Sequence, residues 1–220
     1  MRISFFVLKL FLAVSVFFVF YAEQLCADMR GIDRALESKD EQIQFAAIDQ
    51  LGRTGSEKAV DKLIDIVYSR EHHWTLKIRA MTHLGSIGNA KAIDPLMEML
   101  TLPLHNFDCP SLLSYAARAL GHFNKEQRVV DILIQEINYD NLQVREAIID
   151  ALGMIGSKRA VSILIPLLND RNFAIRVSTI KALGNIGDPK ALAPLQSVLN
   201  SNDDRIIIEY AKNAINVIKK

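Results

Sequence analysis

Cysteine is nearly absent from this 220-residue chain, with only Cys26 and Cys109 present. That scarcity excludes a disulfide framework. Excess charge is missing as well. Against 26 basic residues stand 25 acidic ones, a formal net charge of +1. A nearly neutral chain has no overall field with which to draw in nucleic acid or anionic lipid. Catalytic signatures are lacking: there is no Gly-rich phosphate loop, no G-x-S-x-G and no H-E-x-x-H. Short alternating strand patterns do not occur either, which leaves an all-α class.

What is present is a repeat. Asp140 to Asn169 reads DNLQVREAIIDALGMIGSKRAVSILIPLLN, and the line from Arg171 to Asn200 nearly copies it. Leu152-Gly153 recurs as Leu183-Gly184, and Ile155-Gly156 as Ile186-Gly187, at an offset of 31 residues. Leu-Gly pairs also stand at 51, 84 and 120, so successive spacings are 33, 36, 32 and 31. A fixed period of this size marks a solenoid of stacked supersecondary units.

Each copy predicts two helices. Val144, Ala147, Ile148, Ala151, Leu152 and Ile155 follow the spacing of one helix face, helix A. Gly153 and Gly156 are expected to close it, and Ser157 or Asp188 to cap the next helix, with Pro189 at its first position. Val161, Leu164, Leu167 and Leu168 form the apolar face of that helix, B. Pro95, Pro166 and Pro194 fall within B helices, where a proline is expected to bend the axis.

The pattern V-R-x-A-x-x-x-A-L-G-x-I-G, followed by A-V/L-x-x-L, resembles HEAT-like repeats. The short bacterial kind, also found in phycobilin-lyase-type proteins, is the most similar. The resemblance is most specific over Asp140–Asn200 and covers most of the chain after residue 28. It implies an all-α, right-handed α-solenoid of antiparallel helix pairs. Taken with the spacings, twelve helices are expected over 28–220: a lone B helix at 28–39, five A/B pairs, and a last A helix at 206–220. In resembling repeats, an Asp in the inter-repeat turn bonds an Arg on the next A helix. Asp140 with Arg145, and Asp170 with Arg176, would form such a ladder. Lys212, Asn213, Asn216, Lys219 and Lys220 would give the last helix a polar outer face.

Residues 1–27 stand apart. Arg2 and Lys9 are the only charges before Tyr21, and Leu10 to Ala22 is a run of 13 uncharged residues. A basic start, an apolar core and small residues beyond it read as a secretory signal, cleaved after Ala27. An uncleaved membrane anchor over residues 3–22 is the alternative. Lys9 inside that span favours the signal. A lipidated Cys26 is set aside, because Glu23, Gln24 and Leu25 do not supply a lipobox. Cleavage removes Arg2 and Lys9 from 26 basic residues and Glu23 from 25 acidic ones, leaving 24 of each. Export would place the repeats in the periplasm or envelope of a bacterium.

Function is sought where the repeat breaks. His83 falls on the small position held by Ala151 and Ala182, and Arg79 falls where Ala147 stands. Either the helix register is locally shifted, or His83 is a satisfied histidine, or it lines a polar pocket between repeats one and two. Two B-to-A connections are irregular as well. One carries His72, His73 and Trp74; the other runs from Leu102 to Cys109 and carries His105 and Phe107. His, Asp and Cys are metal-ligand types, yet no pair has an established ligand spacing, so no metal site is assigned. Aromatic residues on a loop edge suit a protein interface, so His72, His73, Trp74, His83, His105 and Phe107 are the candidate partner-binding residues. The same apolar groups could instead plug the loops onto the core.

No catalytic residue and no cofactor is assigned. Most HEAT-like proteins are scaffolds for protein partners, and that is the reading carried forward. The resemblance also allows two others. Deoxyhypusine hydroxylases of similar repeats bind iron through His-Glu dipeptides, and this chain has none. A phycobilin-lyase-like handler of tetrapyrroles is the third reading, though export would part it from cytoplasmic phycobiliproteins.

Overall fold

A computed structural model describes residues 29–101, 109–201 and 204–220. The expected signal or anchor, together with His105 and Phe107, lies outside the described residues. Every regular element among the described residues is helical. The chain divides into two compact units, one ending at His83 and one beginning at Leu84. The first holds α1 (Met29–Leu36), α2 (Glu41–Thr54), α3 (Glu57–Tyr68) and most of α4 (Trp74–Ile87). The second holds the end of α4 and then α5 (Ile93–Thr101), α6 (Pro110–Leu120), α7 (Gln127–Gln135) and α8 (Leu142–Ile155). After these come α9 (Val161–Leu164), α10 (Phe173–Ile186), α11 (Leu192–Leu199) and α12 (Arg205–Ile218). These are the twelve expected helices, with α1 the lone B, α12 the last A and five A/B pairs between. The fold class is therefore the expected all-α solenoid of helix pairs.

Where an A helix carries two glycines, they have different jobs. Gly156 and Gly187 adopt φ of 72° and 70°, the left-handed conformation that closes a helix. Gly153, which was expected to share that role, is buried inside α8. A Cβ there would lie 2.7 Å from the Ala182 Cα. Its absence lets α8 and α10 touch backbone to backbone. Gly85 meets Ala119, Gly121 meets Ala151 and Gly184 meets Ala214 in the same way. Leu-Gly thus marks a joint between A helices; only at Leu120-Gly121 is it also where the helix ends.

The B helices begin with a tight 3-10 turn in three repeats: Ala90–Ala92, Lys158–Ala160 and Pro189–Ala191. Asn89 and Asp188 accept bonds from the Lys91 and Lys190 amides at 3.0 and 2.9 Å. Ser157, expected to act likewise, makes no side-chain cap. Pro95 and Pro194 are each the third residue of an α-helix, α5 and α11. They do not bend a helix; they sit in its first turn, where the missing N–H costs least. Pro166 has a stronger effect: α9 ends after four residues and gives way to a 3-10 segment, Ile165–Asn169.

Polar pairs one repeat apart stitch neighbouring helices. On the A side of the second unit, Arg118 pairs with Asp150 at 3.0 Å, and the Lys181 ammonium sits 4.7 Å from the Tyr210 ring centre. On the B side, Asp94 pairs with Arg128, and Asp131 with Arg159 at 2.7 Å. The Asp–Arg ladder exists with a shifted register. Arg145 reaches forward to the Asp170 carboxylate at 2.7 Å and back to the Ile137 carbonyl at 3.2 Å. Arg176 takes the Asp170 backbone carbonyl at 2.9 Å. Burial alone would raise the Asp170 pKa. The Asn172 amide and the Arg145 guanidinium outweigh it and hold the carboxyl below its usual value.

Candidate functional site

The first unit carries His72, His73, Trp74, Arg79 and His83. Asp49 on α2 is the centre of one group. Arg79 on α4 grips its carboxylate with two bonds of 2.6 and 2.5 Å, and His83 Nε2 lies 2.9 Å from the same group. The Arg79 guanidinium also stacks 4.8 Å from the Phe45 ring centre. Burial would raise the Asp49 pKa, but the Arg79 and His83 bonds lower it below normal. A charged, fully engaged carboxylate of this kind is a structural clasp. His83 is therefore a satisfied histidine, bonded to Asp49.

His72, His73 and Trp74 separate by direction. The His72 amide bonds the Ser69 hydroxyl at 3.3 Å. Its residue lines a cleft of about 590 Å³ with Asp33, Glu37, Lys62 and Asp65. Burial pushes the His72 pKa down; the Glu71 charge partly counters this, while Lys77 and Lys62 add to it. The neutral imidazole is the favoured form. His73 is exposed, and its Nδ1 lies 2.9 Å from the Thr75 hydroxyl, which donates to Glu41 at 2.7 Å. Trp74 opens α4 and stands 48% exposed, its ring 5.3 Å from that of His73. An indole half in water is not a core plug. His83 bonds across to Asp49 and joins none of these three. Among the described residues, no group of three or more His, Cys, Asp or Glu is placed to hold a metal ion.

The structure adds residues that the irregular loops did not flag. Trp74 is the first residue of its A helix. In the second unit the same position holds Leu142 and Phe173, exposed to 42% and 43%. Ile206, in the first turn of α12, is 53% exposed. The regular repeats thus present apolar groups where the irregular one presents tryptophan. The signal was visible in sequence as Asn141-Leu142 beside Asn172-Phe173, an apolar residue one step ahead of the buried face.

The HEAT repeats family matches residues 32–106, 103–172 and 130–216. No curated protein sequence matches the chain. Among solved structures, the complex of CpcE and CpcF of phycocyanin lyase from Nostoc sp. PCC7120 is similar at a TM-score of 0.58 and 22% identity, covering 87% of this chain and 77% of that one. A designed armadillo repeat protein in complex with the peptide (KR)4 is similar at 0.53 and 15%, covering 87% of this chain and all of that one, 100%. An engineered protein is similar at 0.52 and 20%, covering 90% and 98%. Likeness at these identities concerns the fold.

Proposed function

The chain belongs to the HEAT repeat family, and from that premise we propose that it is an exported, non-enzymatic scaffold that holds protein partners. Within each compact unit, the edge where B helices turn into A helices is the surface it uses. One observation carries this reading. Large apolar side chains stand exposed at the first helical position of A helices, as Trp74, Leu142 and Phe173. Exposed apolar groups at a repeated register are the mark of an interface, and aromatic ones are its usual anchors. His72 and His73 flank the tryptophan.

Site-specific photocrosslinking tests it. A photoreactive phenylalanine analogue replaces Phe173 or Trp74, and a control replaces Gln135 on α7. Protein adducts are expected at 173 and 74 and not at 135. Adducts at 135 alone would move the partner to the B-helix surface. Export is tested separately, by sequencing the mature N-terminus, which is expected near Asp28. An intact Met1 on a membrane-bound form would select the anchor, and on a cytoplasmic form would reject export.

Tetrapyrrole handling is the second reading. It is supported by the fold likeness to the phycocyanin lyase complex. An absorbance scan of the protein purified from its native cell tests it, with a visible pigment band as the deciding result.

A further inference from the structure

The joints of the second unit differ in what overhangs the glycine. A Cβ on Gly85 would meet the His122 ring at 3.1 Å, and one on Gly121 would meet the Met154 sulfur at 3.2 Å. Each of these side chains stands three residues after the alanine of its joint, Ala119 or Ala151. At Gly184 the joint alanine is Ala214, and the residue three beyond it is Val217. Only Ala214 atoms lie within 4 Å of a Cβ on Gly184. The short Val217 side chain leaves the joint uncovered and stands 56% exposed. An open groove of about 250 Å³ results between α10 and α12, with Gly184 and Ala214 in its lining beside Tyr210 and Val217.

The rest of the lining is polar. It consists of Lys181, Asn185 and Asn213, so the one charge in the groove is positive. Immediately before the joint alanines stand Arg118, Asp150, Lys181 and Asn213. Arg118 and Asp150 pair at 3.0 Å. Lys181 comes next in the row, and α12 offers it the Tyr210 ring at 4.7 Å in place of a carboxylate. An ammonium held on a ring face keeps N–H donors available. Among the described residues, the Lys181 ammonium, the Asn185 and Asn213 amides and the Tyr210 hydroxyl make no side-chain hydrogen bond. Elsewhere on α12 the exposed Glu209 and Lys212 offset each other.

We propose that the groove over Gly184 binds a segment of a protein partner that carries a carboxylate beside a small apolar side chain. The carboxylate accepts from Lys181 and from the flanking asparagine amides, a charge-assisted arrangement. The apolar group lies against Val217 and the open joint. Charge complementarity selects an acidic segment over a basic one. Size points the same way: small-molecule sites hold about 300–1,000 Å³, and this groove suits one or two side chains. Gly184 lies 11 residues along α10 from Phe173, roughly 17 Å. The groove is thus a second surface, and its assignment does not depend on the B-to-A edge.

The test uses the full chain, labelled with ¹⁵N, and the capped peptide Gly-Val-Glu-Val-Gly. Counterparts carry Gln or Lys in place of Glu. The Glu peptide should shift the side-chain amide signals of Asn185 and Asn213 and bind at least tenfold more tightly than the Gln peptide, as a charge-assisted bond implies. Lys181→Gln should abolish that preference, and Lys181→Glu should turn it towards the Lys peptide. Val217→Ser should weaken the Glu and Gln peptides alike. Lys181 and Val217 are exposed, so thermal melts of these variants should match the parent. Unshifted asparagine amides, equal binding of the Glu and Gln peptides, or a preference that survives Lys181→Gln overturns the proposal. Inorganic phosphate binding as tightly as the Glu peptide would make the groove a bare anion site and also overturn it. Shifts at the same amides that grow with protein concentration, without peptide, would give the groove to a second copy and do likewise.

Discussion

The imidazole of His83 occupies the space a side chain on Gly52 would need: a Cβ there would lie 2.1 Å from Nδ1. Other joints in the chain set a glycine against an alanine, and this one sets a glycine against a ring clasped by Asp49. Gly52→Ala should therefore expel His83 from Asp49 and lower the melting temperature. His83→Ala frees the space. The double variant should lose clearly less stability than the sum of the singles, and a thermal double-mutant cycle reads that coupling. Additive effects would mean that the ring moves aside without cost.

Gly153→Ala should destabilise, although alanine is the better helix former. The new methyl meets the Ala182 Cα at 2.7 Å, a backbone atom that cannot rotate away. Overpacking of this kind costs roughly 1–3 kcal/mol, more than the helix-propensity gain of about 1 kcal/mol. Chemical denaturation should show a net loss.

Thr179 is fully buried, and its hydroxyl has no hydrogen-bond partner among the described residues. Valine has the same shape without the stranded oxygen. Thr179→Val should stabilise the chain by about 1 kcal/mol, read as a higher denaturant midpoint at unchanged slope.

Acid should weaken the fold in two steps. The neutral His72 imidazole is favoured in the folded state, its pKa lowered from 6.5. Stability tied to it is complete above about that value and falls as pH drops towards the lower folded one. His72→Gln should flatten this slope. The Asp49 and Asp170 carboxyls are held below 3.8. Their contribution is complete above that value and is lost as pH falls through the folded ones. Asp170→Asn should remove part of the second step. Melts from pH 8 to pH 2.5 check both.

Trp74→Ala should leave the fold nearly intact. At 48% exposure the indole is not a core aromatic, whose loss would cost roughly 3–5 kcal/mol. A melting point within a few degrees of the parent is expected.

The helix order was legible because apolar residues recur at Val144, Ala147, Ile148 and Ala151, a pattern that only a helix can bury. The Leu-Gly period set the number of repeats. Relations across repeats were not legible in the same way. Asp170 and Arg176 are close in sequence, yet the Asp170 carboxylate is taken by Arg145 of the preceding repeat, because pitch brings those side chains together. Gly153 looked like a stop because spacing cannot tell a left-handed cap from a close approach. Pro95 looked interior because the 3-10 turn before α5 is not written in the hydrophobic pattern. The clasp on Asp49 was half visible: His83 and Arg79 stood out as misfits, but nothing in one dimension pointed to their common partner. Leu142 and Phe173 were hidden by regularity, since attention to broken repeats passes over a feature that the intact ones share.

Because glycine meets alanine at each joint of the second unit, those joints are interchangeable. Remove residues 153–183, and Leu152 runs directly into Gly184. The fused helix keeps the Gly121–Ala151 joint on one side and the Gly184–Ala214 joint on the other, and no new surface has to be invented. A gene that gains or loses one such tract by unequal crossing-over stays in frame and in register. The length of this protein is thus open to change by whole repeats, in a lineage where single insertions inside a joint would be lost.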